Sequence, residues 1–268
     1  MANKPEERQE NNQERQQGRK RMQDTAHRAF EKNTKRRLTA VGDWQRGEAD
    51  GTGNRAAMAP VFLGLHGWGS DERDFLPVCR YLASGHDYAS LRAPVPMSAL
   101  FADEGYHVPG YSWFTQVTVS GKELDRQAAI DARLIERWCE DNLEDDRKIV
   151  PLGFSQGGMM VTQLLRTIPE RVAGAIVFSG FHAPGLLDGT HPADGTLEER
   201  KLSGAGIPVF FGYGSSDTLI GQEELSATAQ WLENHSDVDV RVYPGMEHEV
   251  GPRELRDVLQ WIEDQRLR

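Results

Sequence analysis

Cysteine is scarce in this chain. Cys79 and Cys139 stand 60 residues apart and form no CxxC pair, which excludes a thiolate metal knuckle or a dithiol redox centre. Both lie in apolar, helix-like surroundings, where a buried and unpaired thiol is expected. Long hydrophobic runs are missing too, and nothing approaches the ~18 continuous apolar residues that a membrane-spanning helix needs. The first thirty residues hold Glu, Gln, Asn, Lys and Arg without the apolar core of a secretory leader, so the expectation is a cytoplasmic protein. There is no internal repeat, no His-x-His and no Gly-x-Gly-x-x-Gly opening a helix. No metal and no organic cofactor is therefore expected.

Acidic residues are plentiful but unevenly placed. Residues 1–58 hold 13 Lys and Arg against 9 Asp and Glu, which leaves 18 basic against 32 acidic residues in the remainder. An acidic body repels phosphates, so the main domain is not expected to bind nucleic acid. Residues 1–37 are too polar to bury a core and are expected to stay a disordered, charged tail. Their basic runs, Gly18–Arg21 and Lys35–Arg37, are short enough to be solvated surface. From residue 38 to 268 the chain reads as one domain. A homodimer remains open as its oligomeric state.

The body alternates strand-like and helix-like segments. Leu38–Trp44 reads as an edge strand and residues 47–57 as a linker. Val61–Leu65 is an apolar run of strand length, followed by the turn His66-Gly67-Trp68-Gly69-Ser70 and a helix over Asp71–Leu82. A short strand is expected at Ala89–Arg92, then a long irregular loop, Ala93–Phe114. Ala128, Ala132, Ile135 and Cys139 recur at helical spacing within Gly121–Asn142. Further strands are expected at Val172–Phe178, Pro208–Phe211 and Val238–Tyr243, with helices at Glu223–Asn234 and Pro252–Gln265. Such alternation implies an α/β fold with a mostly parallel sheet covered on both faces.

The segment that carries chemistry is Lys148 to Arg166. An apolar strand runs into Gly153-Phe154-Ser155-Gln156-Gly157 and straight on into a helix that Pro169 stops. Gly-x-Ser-x-Gly means little alone. Between a strand and a helix it lifts a serine hydroxyl from the sheet edge on a strained turn, and the small flanking residues let strand and helix approach. Ser155 is therefore the candidate nucleophile.

A serine hydroxyl needs an oriented base. On this type of sheet the order along the chain is Ser, acid, His. Two of the eight histidines, His235 and His248, lie late enough. His235 ends a helix and is expected to face solvent. His248 lies between a strand and a helix, at the edge where sites of open α/β sheets gather, and is the candidate base. Asp217, the first carboxylate after Val209–Phe211, is the candidate acid. The oxyanion donors are expected to be the backbone N–H groups of Gln156 and of Trp68, with His66 holding the glycine-rich turn. Tyr106, Val108, Tyr111, Trp113 and Phe114 are candidates for an apolar wall along the acyl group.

Together these residues resemble the phospholipase/carboxylesterase family of α/β-hydrolases, which includes acyl-protein thioesterases and small bacterial carboxylesterases. The matching pieces are Leu65–Asp71, Arg92-Ala93-Pro94, Ser112-Trp113-Phe114, Leu152–Gly158 and Gly245–His248, in order over about residues 60–265. The resemblance implies the α/β-hydrolase fold, Ser155, Asp217 and His248 as a triad, and Trp68 and Gln156 as oxyanion donors. It departs from the family at Thr218, where proline usually follows the acid, and in a longer loop before Ser112. The expected activity is cleavage of a carboxylic ester or thioester, with a small-molecule ester or acyl substrate. The alternatives are a lysophospholipase or peptidase on the same triad, or a non-catalytic binding protein on the same fold.

Overall fold

The computed structural model describes residues 37–44, 59–101, 108–115, 120–185 and 199–268. The basic run at Gly18–Arg21, the linker at 47–57 and Tyr106 lie outside the described residues. So does the tail up to residue 36.

Seven strands form the main sheet: β1 (Ala40–Asp43), β2 (Val61–Leu65), β3 (Tyr88–Leu91), β6 (Ile149–Phe154), β7 (Ala175–Phe178), β8 (Pro208–Gly214) and β9 (Asp237–Tyr243). They lie in the order β1-β3-β2-β6-β7-β8-β9. All neighbours pair in parallel except β1, which runs antiparallel to β3. The expected edge strand is thus β1. Within the loop at Ala93–Phe114, β4 (Val95–Pro96) and β5 (Tyr111–Ser112) pair antiparallel as a small ribbon.

The helices are α1 (Glu72–Ala83), α2 (Met97–Leu100), α3 (Gly121–Asn142), α4 (Gln156–Thr167), α5 (Glu199–Ala205), α6 (Gln222–His235) and α7 (Pro252–Asp264). Strand residues alternate between two apolar layers, as a pleated strand buried on both faces requires. Phe62, Leu152, Ile176, Phe178 and Phe210 pack with Phe75, Cys79 and Leu82 of α1 and Val258, Trp261 and Ile262 of α7. Leu63, Leu65, Val177, Val209 and Phe211 face the other way, against α3, α4 and α6. Both cysteines are buried and unpaired, and burial pushes each thiol up to about 12.

Two expectations shift at strand ends. The strand expected from Val172 begins only at Ala175, because Val172 closes the 3-10 turn Pro169–Arg171, its N–H donating to the Pro169 carbonyl at 3.2 Å. The strand expected to stop at Phe211 continues to Gly214, since β9 pairs with it through Gly214 and its glycines admit close neighbours. Parallel strands share a carboxyl edge. The turns after β2, β6, β8 and β9 therefore gather Trp68, Ser155, Asp217 and His248 on one side of the sheet.

Candidate active site

Ser155 sits between β6 and α4 with φ 56° and ψ −117°, a backbone state that costs about 1–3 kcal/mol and persists only where its surroundings enforce it. The enforcement is steric. A Cβ on Gly153 would stand 2.3 Å from the Gly157 carbonyl oxygen, and one on Gly157 would stand 2.0 Å from that of Leu65. No side chain fits at either place. The Ser155 N–H donates to the Phe178 carbonyl at 2.9 Å, which ties the turn to β7.

Asp217 and His248 are brought together. Asp217 Oδ2 lies 2.7 Å from His248 Nδ1, and because the carboxylate can only accept, the imidazole proton stands on Nδ1 and leaves Nε2 as the basic nitrogen. Asp217 Oδ1 takes the N–H groups of Leu219 and Ile220, both at 3.0 Å, so the carboxylate is held at both oxygens. Its side chain is buried, and that of His248 is 11% exposed. The two loops are also stitched backbone to backbone: Ser216 N–H donates to the Met246 carbonyl, and Ser215 N–H to that of Tyr243, both at 3.0 Å. A Cβ on Gly214 would stand 2.0 Å from the Met246 oxygen, so the histidine loop rides directly over the end of β8. The His248 ring lies 4.7 Å from the Phe154 ring, which puts the imidazole beside the residue preceding Ser155.

The glycine-rich turn is built around His66. Burial holds its imidazole below the ordinary value, and the neutral ring is used at both nitrogens. Its Nδ1–H donates to the Gly67 carbonyl at 2.7 Å, and its Nε2 accepts the Ala93 N–H at 3.0 Å. The turn is pinned further by Gly69 N–H to the Tyr111 carbonyl at 2.9 Å. Among the described residues, neither the Trp68 nor the Gln156 N–H takes an intramolecular acceptor. Two donors on neighbouring strand ends, one at the head of a helix, are suited to an anionic oxygen. The Trp68 indole is 45% exposed and packs edge-on to Phe101.

The candidate acyl wall divides. Val108 and Tyr111 are half-buried, with the Arg92 guanidinium 4.7 Å from the Tyr111 ring centroid. Trp113 and Phe114 lie in the core, and the Trp113 indole N–H donates to the His66 carbonyl at 2.9 Å. Trp113 supports the glycine-rich turn from beneath, its ring 5.8 Å from that of His66. His235 is not solvent-facing as its place at a helix end suggested. It is half-buried, its ring stacked 5.0 Å from Trp231 and its Nδ1 2.7 Å from the Trp231 carbonyl.

One function was invisible in the sequence. Gln156 was singled out for its backbone, yet its side chain also works: Oε1 accepts the Trp113 N–H at 2.9 Å and lies 3.3 Å from Ser112 Oγ. The elbow is thereby fastened to the Ser112-Trp113-Phe114 segment, 43 residues earlier in the chain for the Trp113 contact. A buried amide next to a nucleophile was the one available signal.

This sheet order, elbow and His–Asp pair define an α/β-hydrolase. Comparison with known proteins then narrows the class. The profile of the Phospholipase/Carboxylesterase family matches residues 53–265, and the chain belongs to that family. Acyl-protein thioesterase 1 of Kluyveromyces lactis is 25% identical over 215 residues, covering 75% of this chain and 90% of that protein. Acyl-protein thioesterase 1 of Eremothecium gossypii is 27% identical over 217 residues, covering 75% and 86%. The fold is shared with the Bacillus cereus carboxylesterase, at TM-score 0.60 and 20% identity over 87% of this chain and 97% of that one. It is shared equally with Zea mays acyl-protein thioesterase 2, at TM-score 0.60 and 16% identity over 85% and 98%. The chain is accordingly a serine hydrolase of carboxylic ester or thioester bonds. No helix among the described residues is long and apolar enough to cross a membrane.

Proposed function

We propose that Ser155, His248 and Asp217 carry the reaction, that Trp68 and Gln156 supply the oxyanion donors, and that the substrate is an acyl ester or thioester. Ser155 Oγ attacks the carbonyl carbon while His248 Nε2 takes its proton, and Asp217 stabilises the imidazolium through Nδ1–H. The carbonyl oxygen becomes an anion facing the two backbone N–H groups, a kind of contact worth about 10²–10³-fold in rate for each donor. Collapse breaks the bond to the alcohol or thiol, which leaves with the proton from His248. Water then repeats the sequence on the acyl-enzyme, releases the acid and restores Ser155.

The observation that carries this reading is the 2.7 Å contact between His248 and Asp217, with the His248 ring against Phe154. Val108 and Tyr111, both half-buried, with Tyr111 paired to Ser70 of the glycine-rich turn, are the candidates for contact with the acyl chain. Tyr106 belongs to the same proposal by sequence, and Trp113 and Phe114 act from behind. A thioester of the kind implied by the relatives' names is included in the proposal. A cytoplasmic setting fits two buried, unpaired cysteines. The catalytic body is proposed to start at residue 38, with residues 1–37 an appendage.

A panel of p-nitrophenyl esters and acyl thioesters of increasing acyl length tests this. A sharp length optimum, abolished by Ser155→Ala, is the expected result. Rates that are negligible throughout the panel would leave the binding-protein alternative in its place.

A further inference from the structure

Glu254 caps the entrance of a helix, yet that role uses only one of its two carboxyl oxygens. It stands in the first turn of α7, which begins directly after the histidine loop, and it is 0% exposed. One oxygen, Oε2, accepts the Gly251 N–H at 3.3 Å at the helix entrance. The other, Oε1, has no hydrogen-bond partner among the described residues. It rests over the bare Cα of Gly212 on β8, where a Cβ would come within 2.1 Å of it. Gly212 lies five residues before Asp217, and Gly251 three residues after His248. One buried carboxyl thus touches both the strand that delivers the acid and the helix entrance that anchors the base.

Among the described residues no cation compensates it. Its charged neighbours are the carboxylates of Asp257 and Glu249. The nearby Arg241 is engaged by Asp239 at 2.7 Å and by Asp257 at 3.6 Å, and the Tyr243 hydroxyl donates to Asp257 at 3.1 Å. Capping the Gly251 N–H accounts for Oε2 alone, and leaving a second buried oxygen without a partner is costly.

We propose that Glu254 is a positioning residue: wedged between Gly212 and Gly251, it sets the spacing of the acid and histidine loops and thereby the Asp217–His248 contact. The proposal rests on the reading of Ser155, His248 and Asp217 as the catalytic group. Burial pushes the Glu254 carboxyl up to about 8, so it serves as a neutral acid at neutral pH. The unfolded chain gives up that proton near the ordinary 4.5, whereas the fold keeps it until about 8. The resulting stability is complete below the unfolded value and is lost as pH rises through the folded one.

The test compares wild type, Glu254→Gln and Glu254→Ala by kcat, KM and melting temperature across pH 5–10. Glu254→Gln keeps the shape and the neutral state, so it should retain most of the kcat at pH 7, flatten the decline of kcat above about pH 8, and flatten the loss of melting temperature between about pH 5 and 8. Glu254→Ala should lower kcat about 10- to 100-fold with KM changed little, the cost of a small misplacement of reacting groups. Three results would overturn the proposal: unimpaired kcat in Glu254→Ala despite a lowered melting temperature, a Gln variant as impaired as Ala at pH 7, or an unchanged alkaline limb in the Gln variant. If Glu254→Ala does not fold, the alkaline limb of Glu254→Gln decides alone. Fluorophosphonate labelling of wild type is run alongside. Labelling at Ser155 with a failed Glu254 result refutes only the positioning role, and labelling elsewhere refutes the triad reading beneath it.

Discussion

Ser155 and Ser179 occupy matching addresses on neighbouring strands. Each follows a buried parallel strand, each has positive φ (56° and 44°), and each donates its N–H to the next strand along, to Phe178 at 2.9 Å and to Gly212 at 2.8 Å. Their surroundings differ. Ser155 heads a helix, stays half-buried and has the His248 ring against its neighbour Phe154. Ser179 is 0% exposed, its hydroxyl has no partner among the described residues, and the next residue, Gly180, is pressed against Gly158 of α4. Strain and a strand-end address are therefore common to both turns. Exposure, a helix N-terminus and a histidine ring beside the preceding residue belong to one, and the proposal for Ser155 rests on those features.

The largest expected effect separates the two serines. Ser155→Ala should lower kcat by about 10⁴-fold or more, the scale for losing a triad serine. Ser179→Ala should leave kcat within a few fold, and removing a buried, unpartnered hydroxyl should be close to neutral for stability. A fluorophosphonate probe should label the Ser179→Ala protein at Ser155 and leave Ser155→Ala unlabelled. Equal losses in the two variants would erase the distinction.

The same contrast holds for histidines. His248→Ala should be nearly as inactive as Ser155→Ala, because members of one catalytic unit are not additive. His235→Ala removes a ring stacked on Trp231 and should reduce melting temperature more than kcat. Steady-state kinetics on both variants would sharpen the assignment, and a crippling effect confined to His235→Ala would break it. Gly157→Ala comes next in size: its methyl would meet the Leu65 backbone, so misfolding or a destabilisation of several kcal/mol is expected by thermal melting.

The sequence made the elbow legible because its signal is local. Gly153, Ser155 and Gly157 lie within five residues, and strand and helix flank them directly. Asp217 and His248 were reachable through chain order and strand ends. The tie between Gln156 and the Ser112-Trp113 segment was not, since nothing in either segment names the other. The aromatics of that segment fared similarly: loop composition suggested a substrate wall, whereas hydrogen bonding and packing draw Trp113 and Phe114 into the core. Helix α5 was missed because it is only seven residues long and follows a stretch without apolar periodicity. Gly212 and Gly214 lie beyond the expected end of their strand, yet they belong to β8 and keep it open to Glu254 and to the Met246 carbonyl.

The smallest expected effect concerns where the chain can be cut. A truncation starting at Leu38 removes the exposed Arg37–Asp141 ion pair, whose atoms lie 4.0 Å apart and whose side chains are 88% and 46% exposed. Pairs of that kind contribute little. The cut keeps β1 with its pairing to β3, the Arg92 N–H bond to the Thr39 carbonyl at 2.8 Å, and Trp44 packed edge-on to Trp138 at 5.4 Å. Melting temperature and esterase rate should therefore match the full chain, with a shift of no more than about 2 °C. A cut starting at Ala59 removes β1 and Trp44 as well, opens the edge of β3 and uncovers Trp138, and it should lower the melting temperature by clearly more. The pair of truncations places the boundary between appendage and body. Equal losses for both cuts would show that residues 1–37 contribute to the stability of the hydrolase body, and no loss for either would show that the body begins at β2.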